Sequence, residues 1–471
     1  MAVDLRLNAA IATSKALTRA IRRVGRGGGT AFPGLIATRI DPGILGKLSA
    51  RLPQGVTIVA GTNGKTTTSR MLAGVLRESG LQVVHNRSGS NLVRGISGAL
   101  AAEASLGRGR SAEIGVIESD ENALPDVIRQ TSPHCLLLLN LFRDQLDRYG
   151  ELETIARHWA PAVAELDSDA TLVVNADDPN LAALAENTRA RVVTFGLETE
   201  GHGLPELPHA ADSAVCRRCG SRFEYDAIYV SHLGAYRCPN CAYRRPELDI
   251  AAREISFQGM ERLSMTVRRD GWEDDLRLDV ALPGLYNAYN ALAVVATASV
   301  LGVDAGTIAT SLRSFEAAFG RLEKIEYEGL HLTLALSKNP VGFNEVLRML
   351  TVEPVTGPVI IGINDLDADG RDVSWLWDVD FETLAENAHT GTVFAAGIRG
   401  DDLAVRMKYA GLPADRLDLG LLGLSFSEVL DTLPKSVAKG EHVFVLLTYT
   451  AMLQLRRALA GRGAAPQFWR Q

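Results

Sequence analysis

The chain has 471 residues, 46% of them apolar, a net charge of −7 and a sequence pI near 5.8. At roughly 150 residues per domain, this length predicts two to three domains. The apolar content excludes a wholly disordered chain, and the acidic balance argues against a globally basic nucleic-acid binder. The sequence has no apolar run of about 18 residues and no signal-peptide pattern, so we expect a cytoplasmic protein without a membrane span.

Residues 1–54 are predicted to form a basic, helical N-terminal segment. Apolar residues recur near a 3.6-residue period over residues 4–24, which favours a helix. Residues 1–50 hold eight cations against two acidic residues, Asp4 and Asp41; the cations are Arg6, Lys15, Arg19, Arg22, Arg23, Arg26, Arg39 and Lys47. They indicate either a solvated helix face or attraction to the anionic inner face of a membrane, where each contributes about 1 kcal/mol.

Short apolar strands alternate with helical segments from residue 55 to residue 197. The predicted strands are Val56–Ala60, Gln82–Asn86, Ile114–Glu118, Cys135–Leu141, Leu172–Asn175 and Val192–Phe195. Strands that are apolar on both faces are typical of a parallel sheet covered by helices. With the strand signals at 253–281 and the alanine-rich helical stretch 285–315, this rhythm predicts a central nucleotide-binding α/β domain over residues 55–319.

The rhythm is interrupted by an apparent insertion at about residues 212–246. It carries two Cys-x₂-Cys pairs separated by 18 residues: Cys216, Cys219, Cys238 and Cys241. Two such pairs at this distance predict a structural Zn²⁺ ribbon, closed by four thiolates, rather than disulfides or a catalytic zinc. Several arginines surround the pairs, which would also suit nucleic acid, but a solvated surface is the favoured explanation.

A second α/β rhythm begins after Gly320-Arg321. Its candidate strands are Leu332–Leu336, Val359–Ile363, Val393–Ala396 and Val443–Leu447. We therefore predict a separate, Rossmann-like C-terminal α/β domain over residues 320–471.

A glycine loop joins the strand Val56–Ala60 to a predicted helix. Its residues are Gly61, Thr62, Asn63, Gly64, Lys65, Thr66 and Thr67. A loop of this kind presents backbone N–H groups and a helix N-terminus to phosphate oxygens. Lys65 is expected to contact the terminal phosphates and the Thr66 hydroxyl to bind Mg²⁺. The spacing departs from the general phosphate loop, because Val59 stands where that pattern has its first glycine.

This loop, Gly61-Thr-Asn-Gly-Lys-Thr66, resembles that of Mur ligases and folylpolyglutamate synthases. Further segments in the same order resemble motifs of that family. They are Glu118-Ser-Asp-Glu121, Asn140-Leu-Phe-Arg-Asp-Gln-Leu-Asp-Arg-Tyr149, Asn175-Ala-Asp-Asp178, Gly284-Leu-Tyr-Asn287-Ala-Tyr-Asn290, Gly320-Arg321-Leu-Glu323 and Lys338-Asn339-Pro340. The resemblance covers roughly residues 55–450.

The resemblance implies an ATP-dependent ligase that phosphorylates a carboxylate and lets a nitrogen nucleophile attack the acyl phosphate. It places Lys65 and Glu118 in catalysis, Thr66 and Glu118 at Mg²⁺, and Asn287 and Arg321 at the nucleotide. Simpler explanations remain open: a solvated loop carboxylate for Glu118, a helix cap for Asn287 and a hinge salt bridge for Arg321.

Three differences between this sequence and the usual sequence pattern of the family indicate which branch of the family it resembles. About 54 residues precede the first sheet strand, which is too short for a domain that binds a uridine nucleotide. Gln145 stands where many relatives have a metal-binding His, which puts a second metal site in doubt. The chain has no lysine between Lys65 and Lys324, so the carbamylated lysine of many relatives is absent.

With the Cys pairs, these departures select the MurT-like branch of the family. That resemblance implies a GatD-like glutaminase partner and amidation of the D-glutamate α-carboxyl in membrane-anchored lipid II. Two rival functions are a ligase that adds an amino acid and a zinc-ribbon nucleic-acid-binding regulator with an ATP switch; we expect no nucleic-acid partner.

The acidic segment 364–378 follows the predicted strand Val359–Ile363 and includes Trp375 and Trp377. We hypothesise that it orients the acceptor or the partner's catalytic site through Asp372 or Asp378, with the tryptophans buried against the partner. The alternative is a solvated acidic loop.

The nitrogen nucleophile is expected to be ammonia made elsewhere. Four of the five cysteines are assigned to metal, and the fifth, Cys135, lies in an apolar strand where its thiol should be buried and inert. No cysteine then remains to hydrolyse glutamine.

Overall fold

The computed structural model describes residues 4–24, 31–86, 91–106, 112–143, 152–208, 211–315, 321–352, 356–387 and 389–466. Most of the elements form two α/β units, each built around one largely parallel sheet. No helix in these ranges combines the length and the apolar character needed to cross a bilayer.

The first sheet has nine strands in the order β11-β10-β9-β6-β5-β4-β1-β3-β2. Its strands are β1 (Val56–Ala60), β2 (Val83–His85), β3 (Ile114–Glu118), β4 (Cys135–Leu138), β5 (Thr171–Asn175), β6 (Arg191–Leu197), β9 (Ile250–Gln258), β10 (Arg262–Arg269) and β11 (Leu276–Val280). β1 to β6 pair in parallel, β9 joins β6 in parallel, and β10 and β11 complete the sheet as antiparallel strands.

Helices cover both faces of this sheet. They are α1 (Leu5–Val24), α2 (Ala31–Ile40), α3 (Ile44–Ser49), α4 (Lys65–Glu78), α5 (Val93–Glu103), α6 (Leu124–Thr131), α7 (Leu152–Ala164), α8 (Pro179–Ala185), α9 (Leu285–Val300) and α10 (Ala305–Arg313). Successive residues of β1 face opposite layers: Ile58 packs with α1, α3 and α6, and Val59 with α4 and α9. This alternation explains why the predicted strands are apolar throughout.

The N-terminal helices share the core of the first sheet. Leu7 and Ile11 of α1 and Leu45 of α3 are buried in the same cluster as Ile58. The predicted boundary at residue 54 therefore does not separate two cores, and the domain boundaries stay predictions. Of the basic residues, Lys47 lies 2.9 Å from Asp4 and 2.8 Å from Asp41.

A two-stranded hairpin of β7 (Glu224–Val230) and β8 (Leu233–Arg237) stands apart from the sheets. It lies between β6 and β9 in the chain and carries the cysteine pairs on its flanks. Its aromatic side chains pack on one another: Phe223, Tyr236 and Tyr243 form a small core with Cys216 and Cys238.

The second unit has a six-stranded sheet in the order β12-β13-β17-β14-β15-β16. Its strands are β12 (Arg321–Tyr327), β13 (Leu330–Leu336), β14 (Gly357–Gly362), β15 (Thr390–Ala396), β16 (Leu417–Asp418) and β17 (His442–Leu447). All neighbours pair in parallel except β12 and β13. Its helices are α11 (Pro340–Val352), α12 (Glu382–Glu386), α13 (Gly400–Tyr409), α14 (Phe426–Ser436) and α15 (Tyr449–Gly461), with short 3₁₀ turns at Ser374–Asp378 and Ala414–Arg416.

Candidate active site

The phosphate loop runs from the end of β1 into α4, with its glycines in backbone conformations that other residues rarely adopt. Gly61 has a φ of +146° and Gly64 a φ of +85°. A Cβ on Gly64 would lie 2.1 Å from Asn290 Oδ1, so this glycine also permits the close approach of α9. Because the first N–H groups of a helix lack intrahelical acceptors, the start of α4 can bind phosphate oxygens.

Lys65 is the first residue of α4 and is buried. Its ammonium donates to Gly61 O at 2.5 Å and to Thr62 O at 3.1 Å. It also lies 2.8 Å from Glu121 Oε1. The lysine therefore folds over its own loop, and an entering phosphate would compete with Glu121 for the ammonium.

The loop is held in place by the chain that follows β4. Thr62 Oγ1 donates to Phe142 O at 3.1 Å and accepts from the Phe142 amide at 3.0 Å. Asn140 receives the Asn63 amide on its Oδ1 at 2.8 Å and donates its Nδ2 to Asn63 O at 3.1 Å. These reciprocal bonds fix the backbone of the loop before any ligand arrives.

A chain of buried amides supports the loop from α9. Asn290 Oδ1 accepts from Thr68 Oγ1 at 3.2 Å, and its Nδ2 donates to Asn287 Oδ1 at 3.1 Å. Asn287 Nδ2 in turn donates to Pro283 O at 2.7 Å. Both polar atoms of Asn287 thus have partners within the protein, and Asn290 rather than Asn287 lines the cavity. A direct contact between Asn287 and a nucleotide stays a prediction.

The acidic end of β3 lies beside the loop. Glu118 is buried, and its backbone is clamped by Asn86, whose Oδ1 accepts the Glu118 amide at 2.9 Å and whose Nδ2 donates to Glu118 O at 2.8 Å. Glu118 and Thr66 border the same cavity, as the expected Mg²⁺ ligands must. Oxygen ligands of these types suit Mg²⁺, which keeps several waters and binds one or two carboxylates.

A cavity of about 440 Å³ lies between the carboxyl ends of the two sheets. The first unit contributes, among others, Thr62, Asn63, Gly64, Lys65, Thr66, Glu118, Asp120, Glu121, Asn140, Tyr289 and Asn290. The second unit contributes, among others, Leu336, Lys338, Asn339, Val341, Glu345, Ala368 and Tyr449. Ligands of open α/β sheets bind at this edge.

One reciprocal contact joins the two walls of the cavity. Asn339 Nδ2 donates to Asn63 Oδ1 at 3.0 Å, and Asn63 Nδ2 lies 3.4 Å from Asn339 Oδ1. The predicted Lys338-Asn339-Pro340 segment therefore meets the phosphate loop directly, although 276 positions separate the two asparagines in the chain.

Of the other predicted site residues, Gly61, Thr67, Asp372 and Asp378 do not border the cavity. Asp378 lies 3.4 Å from Arg143 Nη1, at the contact between the two units. The side chain of Arg321 and the whole of Gln145 lie outside the described residues. The nucleotide contact of Arg321 therefore stays a prediction, and so does the effect of Gln145 on a second metal site.

Asp372 lies at a surface concavity of about 460 Å³ on the second unit. Its Oδ1 accepts the Ser374 amide at 2.8 Å, and this hydrogen bond lowers the pKa of its carboxyl. Trp377 borders the same concavity and is 55% exposed, whereas Trp375 packs against Phe343 inside its own unit. Only one of the two tryptophans is thus available to a partner at this surface.

The four paired cysteines converge at one point. Cys216 Sγ lies 3.5 Å from Cys241 Sγ, Cys219 Sγ lies 3.4 Å from Cys238 Sγ, and all four sulfurs lie within 4.8 Å of one another. These distances are too long for disulfides. A tetrahedral site with Zn–S bonds of about 2.3 Å places sulfurs about 3.8 Å apart, so the cluster fits a zinc ion.

The cysteine-bearing insertion reaches the cavity in two ways. Val230 and Leu233, at the tip of its hairpin, line the cavity. Arg245 Nη1 donates to the buried Asp177 at 2.9 Å, and the other carboxylate oxygen of Asp177 accepts from Tyr289 Oη at 2.6 Å. Tyr289 lines the cavity beside Asn290, so the insertion is bonded to the wall of the site.

Sequence reasoning did not single out Glu121, Tyr289, Asn290 or Glu345 as site residues. Glu121, Tyr289 and Asn290 belong to motifs that resemble the ligase family, and that resemblance was the available signal. Glu345 had no such signal, because only the packing of α11 brings it to the cavity.

The chain is similar in sequence to known ligases. The family model of the Mur ligase middle domain matches residues 59–240, and that of the MurT ligase C-terminal region matches residues 336–452. The chain is 33% identical over 443 residues to the lipid II isoglutaminyl synthase (glutamine-hydrolyzing) subunit MurT of Streptococcus pneumoniae, covering 94% of each protein. It is 32% identical to the subunit of the same name from Staphylococcus aureus, covering 85% of this chain and 87% of that protein.

Among solved structures, a pseudomurein peptide ligase type C from Methanothermus fervidus superposes with a TM-score of 0.65 at 20% identity. The match covers 88% of this chain and 80% of that one. This likeness supports the fold of both units.

Proposed function

The chain belongs to the MurT family of ligases, and from that premise we propose that it amidates the α-carboxyl of D-glutamate in the lipid II stem peptide, giving D-isoglutamine. ATP would activate the carboxylate as an acyl phosphate, which ammonia then attacks. Phosphoryl transfer depends on positioning and charge neutralisation more than on covalent help from the protein. In this proposal the chain acts as the ATP-dependent carbon–nitrogen ligase and leaves glutamine hydrolysis to a partner subunit.

The observation that carries this proposal is the cavity between the sheets. Its first wall holds the phosphate loop and the acidic strand end, which suit a nucleotide with Mg²⁺. Most of its second wall lies within the part of the chain that matches the MurT ligase C-terminal region. The Asn63–Asn339 contact brings the two walls together, so a bound nucleotide and an acceptor carboxylate would face each other.

The first wall would perform the phosphate and metal chemistry. Lys65 would move its ammonium from Glu121 to the transferring phosphate. Thr66 and Glu118 would hold Mg²⁺, which neutralises phosphate charge when bound. The four cysteines would hold a structural zinc whose ribbon supports the cavity through Arg245 and the hairpin tip.

The nitrogen would come from a partner glutaminase, since relatives are named as subunits of a glutamine-hydrolysing synthase. Cys135 is fully buried in β4, and burial raises the pKa of its thiol to about 12, so it is a poor nucleophile. The other four cysteines are grouped in the zinc cluster.

We place the glutaminase on the exposed apolar surface beside Asp372. Trp377 contacts Tyr409, which is 72% exposed, with ring centroids 5.6 Å apart; Val405 and Ile398 are exposed as well. Aromatic residues of this kind are typical anchors of protein interfaces. Asp372 would face the partner's catalytic site, whereas Asp378 is ion-paired with Arg143 across the two units.

Lipid II would reach the cavity from the inner face of the membrane. Arg19 and Arg23 of α1 are exposed, and so is Phe32 at the start of α2. Cations beside an apolar side chain suit an anionic bilayer surface. Binding of the chain to vesicles with and without anionic lipid, at low and high salt, measures this contribution.

The proposal is tested by incubating the purified chain with ATP, Mg²⁺ and lipid II, with either ammonium or glutamine, and with or without the glutaminase. We expect slow amidation with ammonium alone and efficient use of glutamine only with the partner. Mass spectrometry of lipid II identifies the amide, and a soluble precursor in a parallel reaction tests the need for the lipid. Incorporation of an amino acid instead of ammonia would overturn the proposal.

A further inference from the structure

Glu345 is a buried carboxyl that borders the central cavity without belonging to the nucleotide-binding wall. It lies on α11, about two helical turns after the Lys338-Asn339 segment, and is only 6% exposed. Together with Val341 it also borders a side cavity of about 140 Å³. Glu345 therefore belongs to the wall that the two cavities share.

The electrostatic surroundings of Glu345 leave its charge weakly compensated. Among the described residues it forms an ion pair with Arg348, whose Nη1 lies 3.8 Å from Glu345 Oε1, beyond hydrogen-bonding distance. That guanidinium donates instead to Tyr229 O at 2.8 Å and to His202 O. Burial raises the pKa of Glu345 to about 7, and Arg348 opposes the rise.

Other ionisable groups border the same two cavities. They are Lys65, Glu118, Asp120, Glu121, Tyr286, Tyr289, Lys338, Arg348, Asp380 and Tyr449. Glu121 is paired with Lys65, and Glu118 and Asp120 belong to the acidic strand end beside the phosphate loop. Among the described residues of the second unit, Glu345 is the carboxyl that borders the central cavity.

We propose that Glu345 accepts the proton that the nitrogen nucleophile loses as the carbon–nitrogen bond forms. The inference rests on the proposed amidation. The nitrogen lone pair attacks the acyl carbon, the bond from that carbon to the phosphate oxygen breaks, and phosphate leaves with the bonding electrons. The surplus proton on nitrogen passes to the Glu345 carboxylate and from there to water.

This position suits the task for two reasons. A base acts best when its pKa lies near the working pH, and a carboxyl that titrates near neutrality meets that condition far better than an exposed one. A carboxylate in the wall shared by the two cavities also attracts ammonium, which predominates at neutral pH and must lose a proton to become the nucleophile ammonia. Neither property requires contact with the nucleotide.

The test uses the full chain with ATP, lipid II and ammonium, and holds free ammonia constant as the pH varies from 6 to 9. Wild-type turnover should rise with pH through the titration of Glu345. Glu345→Gln should lose about 100-fold or more of kcat, in line with the loss of a general base, and its pH profile should lose the rising limb. Glu345→Asp should retain part of the rate and the limb.

Trapping with hydroxylamine separates the two chemical steps. Glu345→Gln should still form the acyl phosphate at the wild-type rate, seen as hydroxamate, because activation does not need this base. Arg348→Gln is the matched control: it removes the neighbouring cation, so the limb should remain and move to higher pH.

A purely structural role gives a different pattern. Glu345→Gln and Arg348→Gln would then change stability or KM alike and leave the limb in place, which would overturn the inference. Equal kcat for Glu345→Gln and wild type would do the same. Absence of amide with the wild-type chain, both with ammonium and with glutaminase plus glutamine, would refute the proposed function instead.

Discussion

The burial of Glu345 has a thermodynamic consequence that can be measured without substrate. Its carboxyl has a pKa of about 7 in the folded chain and an ordinary pKa of 4.5 when unfolded. Between these values the folded state binds more protons than the unfolded state, so the ionisation of Glu345 lowers stability as the pH rises through this window. Replacement by glutamine keeps the shape of the side chain and removes the ionisation.

The size of the effect follows from the same pKa. A tenfold change in an equilibrium constant is about 1.4 kcal/mol, so the advantage of Glu345→Gln over wild type should grow by about 2 to 3 kcal/mol between pH 5 and pH 8. In urea unfolding, this corresponds to a rise of the midpoint by about 1 M. The variant should thus be more stable than wild type at pH 8 while being nearly inactive.

Urea titrations at pH 5, 6, 7 and 8, followed by the tryptophan fluorescence of the whole chain, measure the difference. Glu386→Gln is a suitable control because Glu386 is exposed on α12 of the same unit; it should show no pH-dependent gain. If Glu345→Gln gains no more at pH 8 than at pH 5, the carboxylate is as stable in the protein as in water. Glu345 would then be a weak base at neutral pH and not the proton acceptor.

Three further outcomes are expected. Lys65→Ala should lower the rate of ligation by at least about 100-fold, and it should lower stability because Glu121 loses its buried partner. Adding Glu121→Gln should restore stability but not turnover. Normal turnover in Lys65→Ala would refute the assignment of the site. Protein purified without chelator should contain one zinc ion per chain, and metal analysis that finds no zinc would contradict this. Cys216→Ser should lower the unfolding temperature more than it changes the ATP-dependent activity of the folded fraction. Asp372→Ala should impair glutamine-dependent amidation in the complex and spare ammonium-dependent amidation. Full glutamine-dependent activity in both Asp372→Ala and Asp378→Ala would refute the hypothesis that segment 364–378 serves the partner.

Local sequence was sufficient for the elements whose signal is local. The strand Val56–Ala60 and the strand Ile114–Glu118 were predicted with their observed bounds, because both are short apolar runs ended by turn residues. The glycine loop followed from its position between a strand and a helix. The spacing of the cysteine pairs likewise predicted a cluster, since two-residue gaps bring both thiols of a pair to one side of a tight turn.

Features that depend on distant parts of the chain were not predicted. The nine-stranded sheet arises because β9 pairs with β6 in parallel across the whole insertion, and no local pattern encodes that pairing. β12 was not among the predicted strands, because an antiparallel edge strand carries charged residues such as Glu323 and Lys324 that mask its alternation.

The sequence by itself determined the chemistry that could be present: a phosphate loop with Lys65, a carboxylate at the end of β3 and four metal-binding thiols. Tertiary structure decided which groups meet. It paired Lys65 with Glu121, turned the amide of Asn287 inward and brought Asn339 onto the phosphate loop. It also buried Glu345, an unremarkable residue in the sequence, because desolvation depends on what packs around a carboxyl and not on its neighbours in the chain.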